Sequence, residues 1–201
     1  MKNKNRFRKI LLLILTFLLA AGGVYAFKTI KGSFEAQNLM PKDGMPYLFQ
    51  YDKEWKDFMY GEGTMEETGC GPTSLAMALS WLSGDSYSPK DIAAYAKDYG
   101  YYVDGAGTSW DLFTEYPMLA GISAYQVYNW MDIKNNPNPN CVYIFSMGPG
   151  DFTSAGHIIA AKDVTEDGFI NVHDPNSKDK SHSWKLEDLF SQANAIFCLE
   201  K

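Results

Sequence analysis

The sequence feature that most constrains the fold is a cysteine between two glycines, directly ahead of a proline and an apolar run. Cys70 is followed by Gly71 and Pro72, and residues 75–82 are almost entirely apolar. Proline is favoured at the start of a helix, because the N–H that it lacks would have no helical partner and its φ is already helical. The sequence therefore predicts a buried helix, with Cys70 at or just before its N-terminus.

A cysteine in this position has a distinctive chemistry. The unpaired N–H groups and the dipole of a helix N-terminus favour the thiolate, which is the nucleophilic form. Gly69 and Gly71 allow a substrate backbone to approach the sulfur closely. The alternative is an inert buried thiol, the commoner state of a single cysteine in an apolar helix. A cysteine kept only for packing needs no glycine-proline loop, so the pattern predicts that Cys70 is a nucleophile.

The N-terminal 27 residues have the pattern of an export segment. Residues 1–9 hold five of the 18 basic side chains and no acidic one, and residues 10–27 are uncharged. This is a secretion signal with its positive end inside the cell. Cleavage after Ala26 would secrete the protein, whereas an uncharged run of this length can also remain as a membrane anchor. Phe27 and Lys28 form a poor cleavage context and favour the anchor; in both cases we expect the domain to lie outside the cell.

The rest of the chain is predicted to be a linker, residues 28–44, followed by one domain, residues 45–201. Beyond residue 9 the chain carries 13 basic and 24 acidic side chains, a net charge of −11. Such a surface repels nucleic acid and anionic lipid. We therefore expect no nucleic-acid partner, and a membrane contact only through an uncleaved N-terminal segment.

Helix signals come first in this domain and strand signals second. The expected helices are 70–82, 88–100, 108–120 and 186–192, and the expected strands are 124–128, 141–147, 157–161, 168–173 and 195–199. The run 141–147 is continuously apolar, as in a central strand, and 157–161 with 168–173 form a hairpin. This order predicts an α+β fold with an antiparallel sheet.

A nucleophilic cysteine needs a base, usually histidine, and a group that fixes the tautomer of that base. His157 opens one strand of the predicted hairpin, and Asp174 follows the other. Strand pairing would bring the carboxylate near the imidazole, where it can stabilise the imidazolium. Asn176 is the alternative orienting residue. Taken singly, a histidine at a strand start is more often structural and an Asp-Pro pair is a turn, so the prediction depends on the order of all three signals.

The order and spacing of these features resemble the C39-like group of papain-fold cysteine peptidases, particularly its stand-alone branch. The matching segments are Gln50-Tyr51-Asp52 with Trp55, residues 68–74 with Ala76-Met77, Gly107-Thr108, Gly156-His157 and Asp174-Pro175. The resemblance covers residues 45–199. It implies a papain-like fold in which Cys70 is the nucleophile, His157 the general base and acid, and Asp174 the orienting residue.

An oxyanion hole commonly combines the backbone N–H of the nucleophile with a glutamine side chain. In the transporter-linked members of the family that glutamine lies a few residues before the cysteine, but residues 64–67 of this chain contain none. Gln50 is the matching glutamine of the stand-alone pattern. Two roles stay open for it, oxyanion donor and structural support.

The two other cysteines, Cys141 and Cys198, fall on predicted strands. We expect two buried free thiols there rather than a disulfide, although neighbouring strands would permit a bridge. The sequence has no CxxC, no HExxH and no histidine pair at ligand spacing, so we expect neither a metal nor a cofactor.

The sequence as a whole predicts an exported thiol peptidase that acts on a peptide or protein substrate. One alternative keeps this chemistry but cleaves cell-wall peptides, as NlpC/P60-type endopeptidases do. The other is an exported module that binds peptides or proteins without turnover.

Overall fold

The structure is a computed structural model that describes residues 44–201. The predicted leader, residues 1–27, and all but the last residue of the predicted linker lie outside the described residues. None of the helices within residues 44–201 has the length and apolar content needed to cross a bilayer.

Most of the helical residues lie in the first half of the described chain, and two short helices lie in the second half. The helical elements are α1 (Met65–Thr68), α2 (Cys70–Ser83), α3 (Pro89–Asp98), α4 (Leu112–Glu115), a 3₁₀ turn (Tyr116–Ala120), α5 (Met131–Asn135) and α6 (Leu186–Phe190). The strands are β1 (Met59–Tyr60), β2 (Gly63–Thr64), β3 (Tyr102–Val103), β4 (Gly107–Thr108), β5 (Ser123–Gln126), β6 (Cys141–Met147), β7 (His157–Lys162), β8 (Phe169–His173), β9 (Ser183–Lys185) and β10 (Ala193–Glu200).

A six-stranded antiparallel sheet forms the second half, in the order β5-β10-β6-β7-β8-β9. Both faces of its centre are covered. Val142 and Ile144 of β6 join the core beneath α2 and α3, whereas Tyr143 and Phe145 join a second core with α5 and α6. A strand buried on both faces needs apolar residues at every position, which explains the continuous apolar run of β6.

The predicted helix boundaries follow from local chemistry. Ser88 caps α3, since its Oγ accepts a hydrogen bond from the backbone N–H of Asp91 at 3.4 Å. Gly84 ends α2 with a left-handed φ of 82°, a conformation that costs glycine little. Pro117 lies in the 3₁₀ turn that replaces the second half of the predicted third helix. The layout of helices before an antiparallel sheet is confirmed.

Two small hairpins, β1–β2 and β3–β4, were not predicted. Each strand in them is two residues long, so it carries no periodic pattern. Both lie close to Cys70 in space, and their contribution to the candidate site is described below.

The expectation of free thiols at Cys141 and Cys198 is wrong, because the structure joins the two in a disulfide. Their strands, β6 and β10, are neighbours in the sheet, and the Cα atoms are 6.1 Å apart. That separation lies within the range that a disulfide spans. The sequence did not show that β6 and β10 are neighbours, and it is this adjacency that allows the disulfide to form.

Reduction of this disulfide is expected to lower the free energy of unfolding by about 2–4 kcal/mol, because the bridge closes a long loop and restricts the unfolded chain. The two cysteines are 57 residues apart. Urea unfolding with and without dithiothreitol measures the change as a shift of the midpoint. The Cys141→Ala/Cys198→Ala variant should show the low midpoint under both conditions. An unchanged midpoint in the reduced wild type would contradict the prediction.

Candidate active site

Cys70 is the first residue of α2, and one side-chain hydrogen bond fixes that helix to the strand of the predicted base. The Oγ of Ser74 donates to the carbonyl of Ile158 at 3.0 Å, and both groups are buried. Cys70 itself is half-buried and has a free thiol. Its backbone N–H belongs to the first turn of α2, where N–H groups lack helical acceptors. The sulfur is therefore accessible beside potential donors for an oxyanion.

His157 and Asp174 form a buried hydrogen-bonded pair at the ends of β7 and β8. The His157 Nε2–H donates to Asp174 Oδ1 at 2.7 Å, and the two side chains are 7% and 1% exposed. Asp174 Oδ1 also accepts the backbone N–H of Asn176 at 2.8 Å. The Asn176 side chain is exposed, so that residue meets the pair through its backbone N–H, and the carboxylate of Asp174 is the group that is hydrogen-bonded to the ring.

Cys70 lies beside the His157 ring, close enough to raise the pKa of the imidazole. Burial disfavours the charged imidazole, but hydrogen bonds to Asp174 and Cys70, together with their negative charges, outweigh it and raise the pKa of His157 to about 9. The ring is therefore positively charged at neutral pH. An imidazolium beside the sulfur favours a thiolate–imidazolium pair.

Cys70 and His157 open into one groove of about 360 Å³. Its walls come from α1, the two small hairpins and the ends of β6 and β7. Residues that contribute to the walls are Glu62, Glu67, Tyr102, Thr108, Trp110 and Ser146. The wall also includes Gly105, Ala106 and Gly107 from the turn between β3 and β4, so an extended chain could approach the sulfur without meeting large side chains there.

The two hairpins are bonded to each other through Glu62. Its Oε2 accepts the backbone N–H of Gly105 at 3.1 Å, and its backbone N–H donates to the Tyr102 hydroxyl at 3.3 Å. The ring of Tyr102 lies against Gly61, where an added Cβ would come within 1.8 Å of the ring. Glycine at this position, with a φ of 69°, therefore allows the hairpins to meet and complete the groove.

Gly71 permits an equally close approach between α2 and β4. A Cβ at Gly71 would lie 2.4 Å from Thr108 Oγ1, which is hydrogen-bonded to the Tyr60 hydroxyl at 2.9 Å. Tyr60 is buried, and burial and the nearby Cys70 raise its pKa, although the Thr108 hydrogen bond opposes the shift. Gly71 thus serves the packing beneath the nucleophile as well as access to it.

Gly71→Ala is expected to destabilise the protein by about 1–3 kcal/mol, because the new methyl group overpacks the contact with Thr108. Thermal unfolding measures the loss. Gly156→Ala is the matched control, since a Cβ at Gly156 meets no atom within 4 Å. This substitution should leave the unfolding temperature unchanged. Equal stability of the two variants would show that α2 can shift away from β4.

Gln50 is buried and bonded at both its backbone and its side chain. Its Nε2 donates to the carbonyl of Glu66 at 2.6 Å, and its backbone N–H donates to the carbonyl of Pro175 at 2.9 Å. It is not among the residues that line the groove. These contacts connect α1 to the segment that carries Asp174, which agrees with structural support; a role as oxyanion donor stays a prediction.

Apart from Thr68, Gly107-Thr108 and Gly156, which belong to the matching segments, the sequence did not identify the residues of the groove walls. Trp110 donates its indole N–H to Ser146 Oγ at 3.1 Å, which connects the start of α4 to β6 across the groove. The sequence signal at Trp110 is its position after a glycine-rich turn, and this pattern predicts the start of a helix rather than a groove wall. Glu62 and Tyr102 carried no signal. Within residues 44–201 no group of three or more His, Cys, Asp or Glu side chains is placed to hold a metal ion.

Comparisons with known proteins agree with this architecture. The model of the Peptidase_C39 like family matches residues 42–196. The peptidase domain of Streptococcus ComA, a bi-functional ABC transporter involved in a quorum sensing pathway, aligns with a TM-score of 0.53 and 18% identity over 67% of this chain and 93% of that chain. A Bacillus anthracis protein described as a C39-like peptidase aligns with a TM-score of 0.49 and 12% identity over 80% of this chain and 96% of that chain. No curated protein matched the chain. The ComA alignment confirms the predicted papain-like α+β fold.

Proposed function

The chain belongs to the Peptidase_C39 like family, and we propose that it is an extracytoplasmic cysteine peptidase that hydrolyses peptide bonds with Cys70, His157 and Asp174. The observation that carries the proposal is the buried hydrogen bond between His157 and Asp174, in a groove into which the half-buried Cys70, the cysteine of residues 44–201 outside the disulfide, also opens. A nucleophile, its base and an orienting carboxylate in contact are the parts that acyl transfer requires.

The reaction follows from this arrangement. The Cys70 thiolate attacks the carbonyl carbon of the substrate, and the electron pair of the C=O bond moves to oxygen. The backbone N–H of Cys70, in the first turn of α2, is the proposed donor to the developing oxyanion. The His157 imidazolium then protonates the departing amine as the C–N bond breaks and an acyl-enzyme remains. Neutral His157 removes a proton from water, which attacks the thioester and releases the acid and the thiolate.

The groove and the sequence provide further support. Its glycine-rich wall accepts an extended backbone, and the carboxylates of Glu62 and Glu67 disfavour acidic side chains in the substrate. An extracytoplasmic location is supported by the apolar N-terminal segment and by the Cys141–Cys198 disulfide, since disulfides persist mainly in oxidising compartments.

Profiling the full chain against a peptide library tests the proposal. The library should include peptides with paired glycines and peptides with acidic or basic side chains, and purified cell-wall sacculi serve as a second substrate. Hydrolysis that iodoacetamide blocks is the expected result. Cleavage of sacculi alone would favour the cell-wall alternative. The absence of any cleavage, with binding retained, would favour a module without turnover.

A further inference from the structure

A second cavity, separate from the active-site groove, lies on the face of the sheet opposite α2. It has a volume of about 560 Å³, which falls within the range of about 300–1,000 Å³ that small-molecule sites occupy. It has no lining residue in common with the active-site groove. We name it the edge pocket, because it lies where β5 forms one edge of the sheet.

The floor of the edge pocket is a row of side chains across three strands. Tyr125 of β5 is paired with Cys198 of β10, which is paired with Tyr143 of β6. Residues that are directly paired lie on the same face of a sheet, and neighbouring strands are about 4.8 Å apart, so the two tyrosines are about 10 Å apart. Tyr125 is 48% exposed and Tyr143 is 4% exposed. The floor therefore offers one accessible ring beside a buried one.

The walls present uncharged amides and a further exposed ring. Tyr128 is 85% exposed, and carboxamides surround the pocket at Asn129, Asn136 and Asn138. The sole ionisable acid in the wall is Asp132, whose Oδ1 accepts the Asn129 Nδ2–H at 2.9 Å, and no lysine, arginine or histidine lines the pocket. An anionic ligand therefore has no matching partner here.

The wall is held in place before any ligand binds. The Asn138 Nδ2–H donates to Glu200 Oε2 at 2.7 Å, and its Oδ1 accepts the backbone N–H of Asn140 at 2.9 Å. By contrast, the side chain of Asn136, which is exposed, makes no hydrogen bond to another described residue, so its donor and acceptor are available.

We propose that the edge pocket binds a neutral oligosaccharide. The C–H face of a sugar ring is apolar and packs on an aromatic ring, while a carboxamide presents a donor and an acceptor side by side for neighbouring hydroxyls. Exposed tyrosines beside the free amide of Asn136, with no basic side chain in the lining, provide both elements. This inference goes beyond the proposed peptidase activity and does not depend on it.

Calorimetric titration of the full chain with the tetramer of N-acetylglucosamine, and separately with cellotetraose, tests the proposal. The protein is kept in a detergent without a sugar headgroup, because alkyl maltosides would compete. We expect saturable binding of at least one probe. Tyr125→Ala/Tyr128→Ala should weaken it about tenfold or more, and Tyr125→Phe/Tyr128→Phe, which keeps both rings, should change it by less than about twofold.

Loss of binding in the double alanine variant with unchanged peptidase activity would support a separate site for neutral sugars. Three results would overturn the proposal: no binding of either probe up to about 10 mM, equal affinity of the double alanine variant, or tighter binding of an anionic oligosaccharide or an uncharged peptide at the same residues. Circular dichroism of each variant excludes misfolding, which is not expected because both tyrosines are substantially exposed.

Discussion

Replacing Cys70 by alanine is expected to lower kcat/KM for a peptide substrate by about 10⁴–10⁶-fold, because the variant has no atom that can attack the carbonyl carbon. The fold should persist, since alanine is the best helix former and the Cys70 side chain is only half-buried. The rate of hydrolysis of a fluorogenic peptide chosen from the library measures the loss. An unchanged unfolding temperature shows that the loss is chemical.

Labelling by iodoacetamide provides an independent readout of the same change. The chain contains three cysteines, and two of them form the disulfide. Intact mass should therefore show one adduct in the wild type and none in Cys70→Ala. A variant that retains more than about 1% of the wild-type rate would refute the role of Cys70. A wild-type thiol that resists the reagent at neutral pH would instead favour a binding module.

Replacing Asp174 by alanine is expected to lower kcat/KM by about 10²–10⁴-fold and to move its alkaline limb to lower pH. In the wild type the pKa of His157 is raised to about 9, so the protonated ring, and with it the activity, should persist until the pH approaches that value. Without the carboxylate, burial still disfavours the charged ring, and the pKa falls. The measurement is the pH profile of kcat/KM, which reports the free enzyme.

Protein stability should change with pH in the same direction. Folding raises the pKa of His157 from 6.5 to about 9, so the protonated ring stabilises the fold fully below pH 6.5. This contribution is lost as the pH rises through about 9. The Asp174→Ala variant should lose less stability than the wild type across that interval.

Asn176→Ala is the matched control for Asp174. The Asn176 side chain is exposed, and only its backbone N–H contacts Asp174, so the substitution keeps that hydrogen bond. We expect its activity to stay within about threefold of the wild type, as for other surface substitutions. A larger loss in Asn176→Ala than in Asp174→Ala would mean that the amide, and not the carboxylate, orients His157.

Local chemistry made several parts of the fold predictable. Ser88 and Pro89 marked the start of α3, and the apolar run of β6 marked a central strand. Likewise, the segment from Gly69 to Pro72 placed Cys70 at the start of a buried helix. In each case a side chain acts on the backbone within a few residues, so the signal lies in the neighbouring sequence. The small hairpins beside Cys70 and the wall residues Glu62 and Tyr102 carried no comparable signal.

The amino-acid sequence by itself determined the helix that begins at Cys70 and the order of helices and strands, because these depend on short-range preferences. Only the tertiary structure decided which groups meet. It joined Cys141 to Cys198, aligned Asp174 with His157, and placed Gln50 against Glu66 rather than on the groove wall. Such contacts depend on which strands become neighbours and how closely α2 packs on the sheet, and no local pattern encodes either.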